Sequence, residues 1–291
     1  MSCFYGEQFK ISISNLKITT LWFNLFKMNF TNKVIWITGA SSGIGSALAI
    51  ELSNKKIKLI LSSRNKTALE KVKNNCKNPD LVEIIPLDLE NHTAFDTKVS
   101  QAISCFGRID VLVNNGGISQ RSLVKDTSVF VDQRLMEINY IGTVALTKAV
   151  LPYFIKNKSG HFVTTTSIVG KIGTPLRSSY AASKHALHGF FDSLRAEIYQ
   201  YNIAVTLICP GFVNTNVSLN ALTGNGTPQG IMDTATKNGI SPSRFAKLMV
   251  RAIMLEKQEV YIGGFKEKLA VFMKRMFPKL VSKMIRKLAV T

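Results

Sequence analysis

The sequence predicts an α/β fold: a single, doubly wound parallel sheet with helices on both faces, followed by a basic amphipathic C-terminal extension. Three observations predict it. Six short β-rich runs recur from residue 33 onward, the segments between them are each long enough for a helix, and a glycine-rich turn joins the first run to the first such segment. Alternation of this kind forces parallel pairing, because each strand returns to the sheet only through a crossover.

The runs, in order, are "KVIWIT", "IKLILS", "LVEIIPL", "IDVLVN", "GHFVTTTS" and "IAVTLIC". Their apolar content is nearly continuous, as expected for strands covered on both sides. Helical spacing appears between them; Ala182, Ala186, Phe190, Leu194 and Ile198 recur every four residues and predict a helix starting near Tyr180. With no repeat or linker between Lys33 and Gly264, residues 31–264 read as one domain, preceded by 1–30 and followed by 265–291. Residues 212 to 241 read as a long loop suited to act as a lid, with Ser241 capping and Pro242 opening the next helix.

The chain has 291 residues with 37 Lys and Arg against 18 Asp and Glu, so its formal charge of +19 favours anionic partners. No nucleic-acid recognition motif accompanies the charge, and a nucleic-acid partner is not expected. A net +7 lies within residues 265–291, where Phe265, Leu269, Phe272, Met276, Leu280, Met284 and Leu288 recur at three or four residues among cations. This pattern, with a kink expected at Pro278, suits a helix lying in an anionic membrane interface. "ISISNLKITTLWFNLF" near the N-terminus is too polar for a span and is left open as an anchor or presequence, with Met28 an alternative start. Cys3, Cys76, Cys105 and Cys209 form no CxxC pair and are expected as free thiols. His185 and His188 are three apart, but no carboxylate or cysteine nearby in the chain completes a set, so no metal is expected. Gly39-Ala40-Ser41-Ser42-Gly43 matches Gly-x-Ser-x-Gly in letters but is the glycine-rich turn itself, and no separate elbow supports a hydrolase.

"VIWITGASSGIG" runs from the first strand into a helix with Gly39, Gly43 and Gly45 at the turn. Glycines let the backbone approach a pyrophosphate, and the helix N-terminus attracts its charge, so Ser41, Ser42 and Ile44 join the glycines as candidate cofactor contacts. The second strand ends in Ser63 and Arg64 rather than an acidic residue, which favours a ribose 2′-phosphate and NADP(H), with NAD(H) as the alternative. Tyr180 and Lys184 lie one helical turn apart on one face, so the cation is placed to lower the phenol's pKa for proton transfer.

The Thr-Gly-x-x-x-Gly-x-Gly spacing, Asp88 in "PLDL", "NNGG" at 114–117, Asn139, Ser167, Tyr180 with Lys184, and "PGFVNT" at 210–215 resemble the short-chain dehydrogenase/reductase superfamily over about residues 31–264. "LVNNGGISQRSLV", "NYIGTVALTKAVLP" and "YAASKHALHGFFDSLRAE" look most like its member-seven group of microsomal lipid-carbonyl reductases. The resemblance implies a Rossmann-type catalytic domain in which Asp88 meets the adenine, Asn115 forms the cofactor wall and Thr215 holds the nicotinamide carboxamide. It further implies Ser167 on the substrate carbonyl, Tyr180 as acid and base, Lys184 on the nicotinamide ribose, and Asn139 holding a water that links Lys184 to solvent. Gly116 stands where alanine is usual and is expected to loosen the adenine wall. The implied substrate is a lipophilic ketone, aldehyde or alcohol of steroid, retinoid or fatty-acyl type, with Phe212, Val213 and Val217 lining its loop. A homodimer is implied, and attachment to the endoplasmic reticulum membrane, with a cytoplasmic location as the alternative. A non-catalytic NADP-binding or membrane scaffold of the same fold is the other class left open.

Overall fold

The computed structural model describes residues 30–286, so the expectations for the N-terminal segment, Cys3 and Leu288 lie outside the described residues. Seven strands form one all-parallel sheet in the order β3-β2-β1-β4-β5-β6-β7. They are β1 (Val34–Thr38), β2 (Lys58–Ser62), β3 (Val82–Ile84), β4 (Val111–Asn114), β5 (Gly160–Thr165), β6 (Ile203–Pro210) and β7 (Glu259–Ile262). The helices are α1 (Gly43–Ser53), α2 (Lys66–Asn74), α3 (Phe95–Phe106), α4 (Val129–Met136), α5 (Gly142–Asn157), α6 (Ser178–Glu197), α7 (Thr234–Lys237), α8 (Pro242–Met254), α9 (Phe265–Met276) and α10 (Pro278–Ile285). The order reverses at β1, where β2 lies on one side and β4 on the other. Ligands bind at such a switch point, outside the carboxyl ends of the strands.

Side chains alternate across the sheet with the period of two that strands impose. Ile35 and Ile37 of β1 pack with Leu48 and Leu52 of α1 and Phe245 and Met249 of α8. Val34 and Trp36 point the other way, among Val99 of α3, Phe154 of α5 and Phe191 of α6. Both faces of β1 are therefore fully buried, which is why its sequence shows no polar alternation.

Two sequence expectations need correction. The first is β7, absent from the six runs: its four residues are only partly buried until Ile262, so this edge strand carries a weak apolar signal. The second is the inward face of α6, which runs through Ala181, Lys184, Leu187, His188, Phe191 and Leu194 rather than through Ala182 and Ala186. The apolar stripe read in the sequence holds at Leu194 and Ile198 but not at Ala182 and Ala186, because three polar side chains, Ser183, Lys184 and His188, take places in the buried face. Val129–Asn157 is one helical run long and apolar enough to cross a bilayer, but Leu135, Leu146, Val150 and Phe154 are buried in the domain itself.

Ser241 caps α8 by accepting from Arg244 N at 3.4 Å, with Pro242 in the first turn as expected. The C-terminal helical run breaks at Phe277 and Pro278 into α9 and α10. Cys76, Cys105 and Cys209 are free thiols.

Candidate active site

The glycine turn closes against the segment after β4. Gly39 has φ 62°, and a β-carbon there would stand 2.7 Å from Gly116 Cα. At Gly45 a β-carbon would meet Gly39 O at 2.3 Å, so helix and strand end touch backbone to backbone. Asn115 fastens the turn: its Nδ2 donates to Thr38 O at 3.2 Å and Gly39 O at 3.3 Å, and its own amide donates to Thr38 Oγ1 at 3.0 Å. Ser42 precedes α1 without capping it through its side chain, and no acidic residue occupies the first turn. The helix therefore keeps its N-terminal donors for an anion. Thr215 lies against the same turn, its Cγ2 3.2 Å from the β-carbon position of Gly43.

Gly116 does not loosen the wall. The space a methyl group would take there is filled by Leu89, whose Cδ1 lies 2.8 Å from the β-carbon position. Arg64 and Asp88 line one cavity of about 330 Å³, together with Lys98, a cation that carries no motif of its own. The carboxylate of Asp88 also accepts from Glu90 N at 3.1 Å.

Ser167 ends the β5 segment and opens a turn at Ile168–Gly170, its Oγ accepting from Val169 N at 3.1 Å. Its hydroxyl is also a hydrogen-bond partner of the Tyr180 phenol. Lys184, one turn later on α6, points its Nζ at Thr165 O, 3.0 Å away, and lies 5.9 Å from the centre of the Tyr180 ring. Burial lowers the Lys184 ammonium pKa to about 8. Burial raises the Tyr180 phenol above its ordinary value, opposed by Ser167 and by the Arg177 and Arg121 guanidinium groups. Lys184 stays close to the phenol ring while its ammonium donates to the Thr165 carbonyl, and Arg177 and Arg121 add positive field at the phenol.

Asn139 is fully buried in a π-helical turn, Glu137–Ile141, between α4 and α5. Its Oδ1 accepts from Ile118 N at 2.8 Å, and its Nδ2 donates to Ile118 O at 2.9 Å and Ser183 Oγ at 3.1 Å. Both amide hydrogens are spent tying the segment after β4 to α6, so the side chain is a clamp before it is a water ligand. Of the apolar loop residues, Val213 is buried in the core, Phe212 faces Arg177 at 5.7 Å, and Val217 is exposed.

Two features carry no sequence motif. Fully buried Gln120 caps α6 from outside: its Oε1 accepts from Ser179 N at 3.0 Å and Tyr180 N at 3.3 Å. Asp233, in the loop over the cleft, accepts from Arg121 Nε at 2.8 Å and pairs with Arg177 at 3.4 Å. Burial pushes its carboxyl up, but hydrogen bonds from Arg121 and Gln229 and the two guanidinium charges hold it below the usual range. Such contacts join residues far apart in the chain, and only the fold makes them neighbours.

Comparison with known proteins agrees with this geometry. A short chain dehydrogenase family model matches residues 33–225. The chain is 43% identical over 256 residues to dehydrogenase/reductase SDR family member 7B of Bos taurus, covering 86% of this chain and 79% of that protein. It is 45% identical over 239 residues to the human dehydrogenase/reductase SDR family member 7, covering 80% and 70%. In structure it resembles a short chain dehydrogenase/reductase from Burkholderia phymatum solved in complex with NAD, with TM-score 0.77 at 22% identity over 86% of this chain and 95% of that one. The chain therefore belongs to the short-chain dehydrogenase/reductase family of NAD(P)-binding oxidoreductases.

Proposed function

We propose that the protein is an NADP(H)-dependent reductase, or the reverse dehydrogenase, for a lipophilic ketone or aldehyde and its alcohol, working at an anionic membrane surface. The observation that carries this reading is the convergence of Ser167, Tyr180 and Lys184 at the strand ends beside the Gly39–Gly45 turn. When bound, the nicotinamide supplies or accepts hydride at the substrate carbon. The Ser167 hydroxyl holds the carbonyl oxygen, and Tyr180 gives it a proton. A raised phenol pKa keeps Tyr180 protonated at neutral pH, the form that reduction needs; alcohol oxidation needs the phenolate and is favoured as pH rises. Lys184 holds the ribose hydroxyls, while Asn139 and Gln120 fix the segments on either side.

Arg64, aided by Lys98 in the same cavity, binds the 2′-phosphate, which supports NADP(H) over NAD(H). A lipophilic substrate is supported by the exposed apolar faces of α9 and α10. The same faces support attachment to a membrane, which we take to be that of the endoplasmic reticulum. A homodimer through the helices bearing Asn139 and Tyr180 fits the family habit.

NADPH oxidation against a panel of steroid, retinoid and fatty-acyl carbonyls tests the reading. Tyr180→Phe should lower turnover by at least about a hundredfold with cofactor binding intact. Unchanged turnover would refute the acid, and cofactor binding without any Tyr180-dependent turnover would make the protein a scaffold. In the same assay Arg64→Ala should raise KM for NADPH while leaving KM for NADH little changed.

A further inference from the structure

Sequence spacing gives His188 only His185 as a companion, yet the fold sets two other donors against it. α6 brings His188 in one turn beyond Lys184, β6 brings Cys209, and β7 brings Glu259. Cys209 Sγ lies 3.9 Å from His188 Nε2, and His188 Nδ1 lies 3.3 Å from Glu259 Oε2. One donor atom from each of the three lies within 4.8 Å of the other two. Cys209 is fully buried and His188 is 6% exposed. Buried Nδ1 makes no well-aligned hydrogen bond, although buried polar atoms nearly always do.

The carboxylate already attracts a cation. Lys171 Nζ lies 2.8 Å from Glu259 Oε2, and its side chain is 26% exposed, so the ammonium can leave toward solvent. The Tyr261 phenol donates to the same carboxylate. Imidazole, thiolate and carboxylate are the donor mix that zinc takes, and its usual bond lengths place tetrahedral ligand atoms about 3.3–3.6 Å apart. One ion takes only one His188 ring nitrogen, and with one donor atom per residue within 4.8 Å of the others, side-chain rotation must bring the three together by about 1 Å.

We propose that His188, Cys209 and Glu259 form a zinc-type metal site, in which the ion replaces the Lys171 ammonium at Glu259 and water completes the coordination. The Cys209 thiol proton passes to solvent as the metal–sulfur bond forms, and Lys171 keeps its own proton as it swings out. The ion sits behind the strand end that carries Ser167. The Thr166 hydroxyl donates to Cys209 Sγ at 3.2 Å, and Lys171 closes the turn after Ser167 through its amide and Ile168 O at 2.9 Å.

Cobalt(II) titration of the full-length protein tests the site without reference to turnover. A single equivalent should produce a thiolate-to-cobalt charge-transfer band that excess Zn²⁺ erases and that His188→Gln weakens. The band should vanish in Cys209→Ser. Lys171→Met, a change at a partly exposed position, removes the competing cation and should tighten Co²⁺ binding about tenfold. Absence of the band from both the wild type and Lys171→Met overturns the site. So does a band of equal strength in Cys209→Ser, which would assign the metal to another thiol.

Discussion

Lys184 illustrates how a buried cation costs stability. Its ordinary pKa of 10.5 falls to about 8 in the folded protein because burial disfavours the ammonium. Between those values the unfolded chain binds the extra proton, so stability rises with pH across that window and is lowest below it. Lys184→Met should therefore be more stable than the wild type at pH 7 by about 1–3 kcal/mol, with the gap closing toward pH 10.5, as read by urea unfolding. A gap that does not change with pH would assign the gain to packing. At this scale much of the site was legible: Gly39, Gly43 and Gly45, or Tyr180 and Lys184, are near neighbours in the chain, and local geometry fixes their relation. Gln120 was not, because nothing in its surroundings announces that it will meet Ser179 and Tyr180 amides from the start of another helix.

Among the elements, the loop of residues 212–241 shows what holds a cover in place. Asp233 pairs with Arg121, which follows β4, and with Arg177, which precedes α6, so one carboxylate fastens the loop to both walls of the cleft. Asp233→Asn leaves two guanidinium groups beside each other without their shared charge, and the expected loss is about 3–5 kcal/mol, together with a raised substrate KM. Limited proteolysis should then cut first within residues 212–241; cleavage elsewhere would show that the pairing does not retain the loop. Because the carboxyl is held below its usual range, the contribution is full above about pH 4 and is lost as pH falls through the folded value. The other six strands were legible from their apolar runs. β7 was not, since an edge strand with three partly buried residues before Ile262 resembles a loop in composition. The cluster of His188, Cys209 and Glu259 depends on that strand and was hidden with it.

At the scale of the molecule, α9 and α10 are the outlier. Phe265, Leu269, Phe272, Met276, Phe277, Leu280 and Met284 are all exposed, among Lys266, Lys268, Lys274, Arg275, Lys279 and Lys283, and only Val281 is buried. No globular domain gains from leaving seven large apolar side chains on two adjoining helices in water, while a lipid interface accepts both faces. Glu267 of α9 approaches Gly211, just beyond β6, which puts this surface near the strand ends where substrate is expected. Flotation with anionic liposomes should recover the wild type, whereas a Leu269→Asp, Phe272→Asp double variant should stay in the dense fraction; equal recovery would remove the membrane reading. The sheet order has a last consequence, for how the protein comes into being. The Gly39 turn leaves the ribosome early, but Asn115, Ser167, Lys184 and Thr215 join it only after β4, β5, α6 and β6 have paired in parallel, a slow, non-local assembly. No early fragment of the nascent chain holds the finished cleft. A nucleotide that grips it favours the whole domain over the unfolded chain. Cofactor supply is therefore expected to raise the folded fraction of the protein as well as its rate.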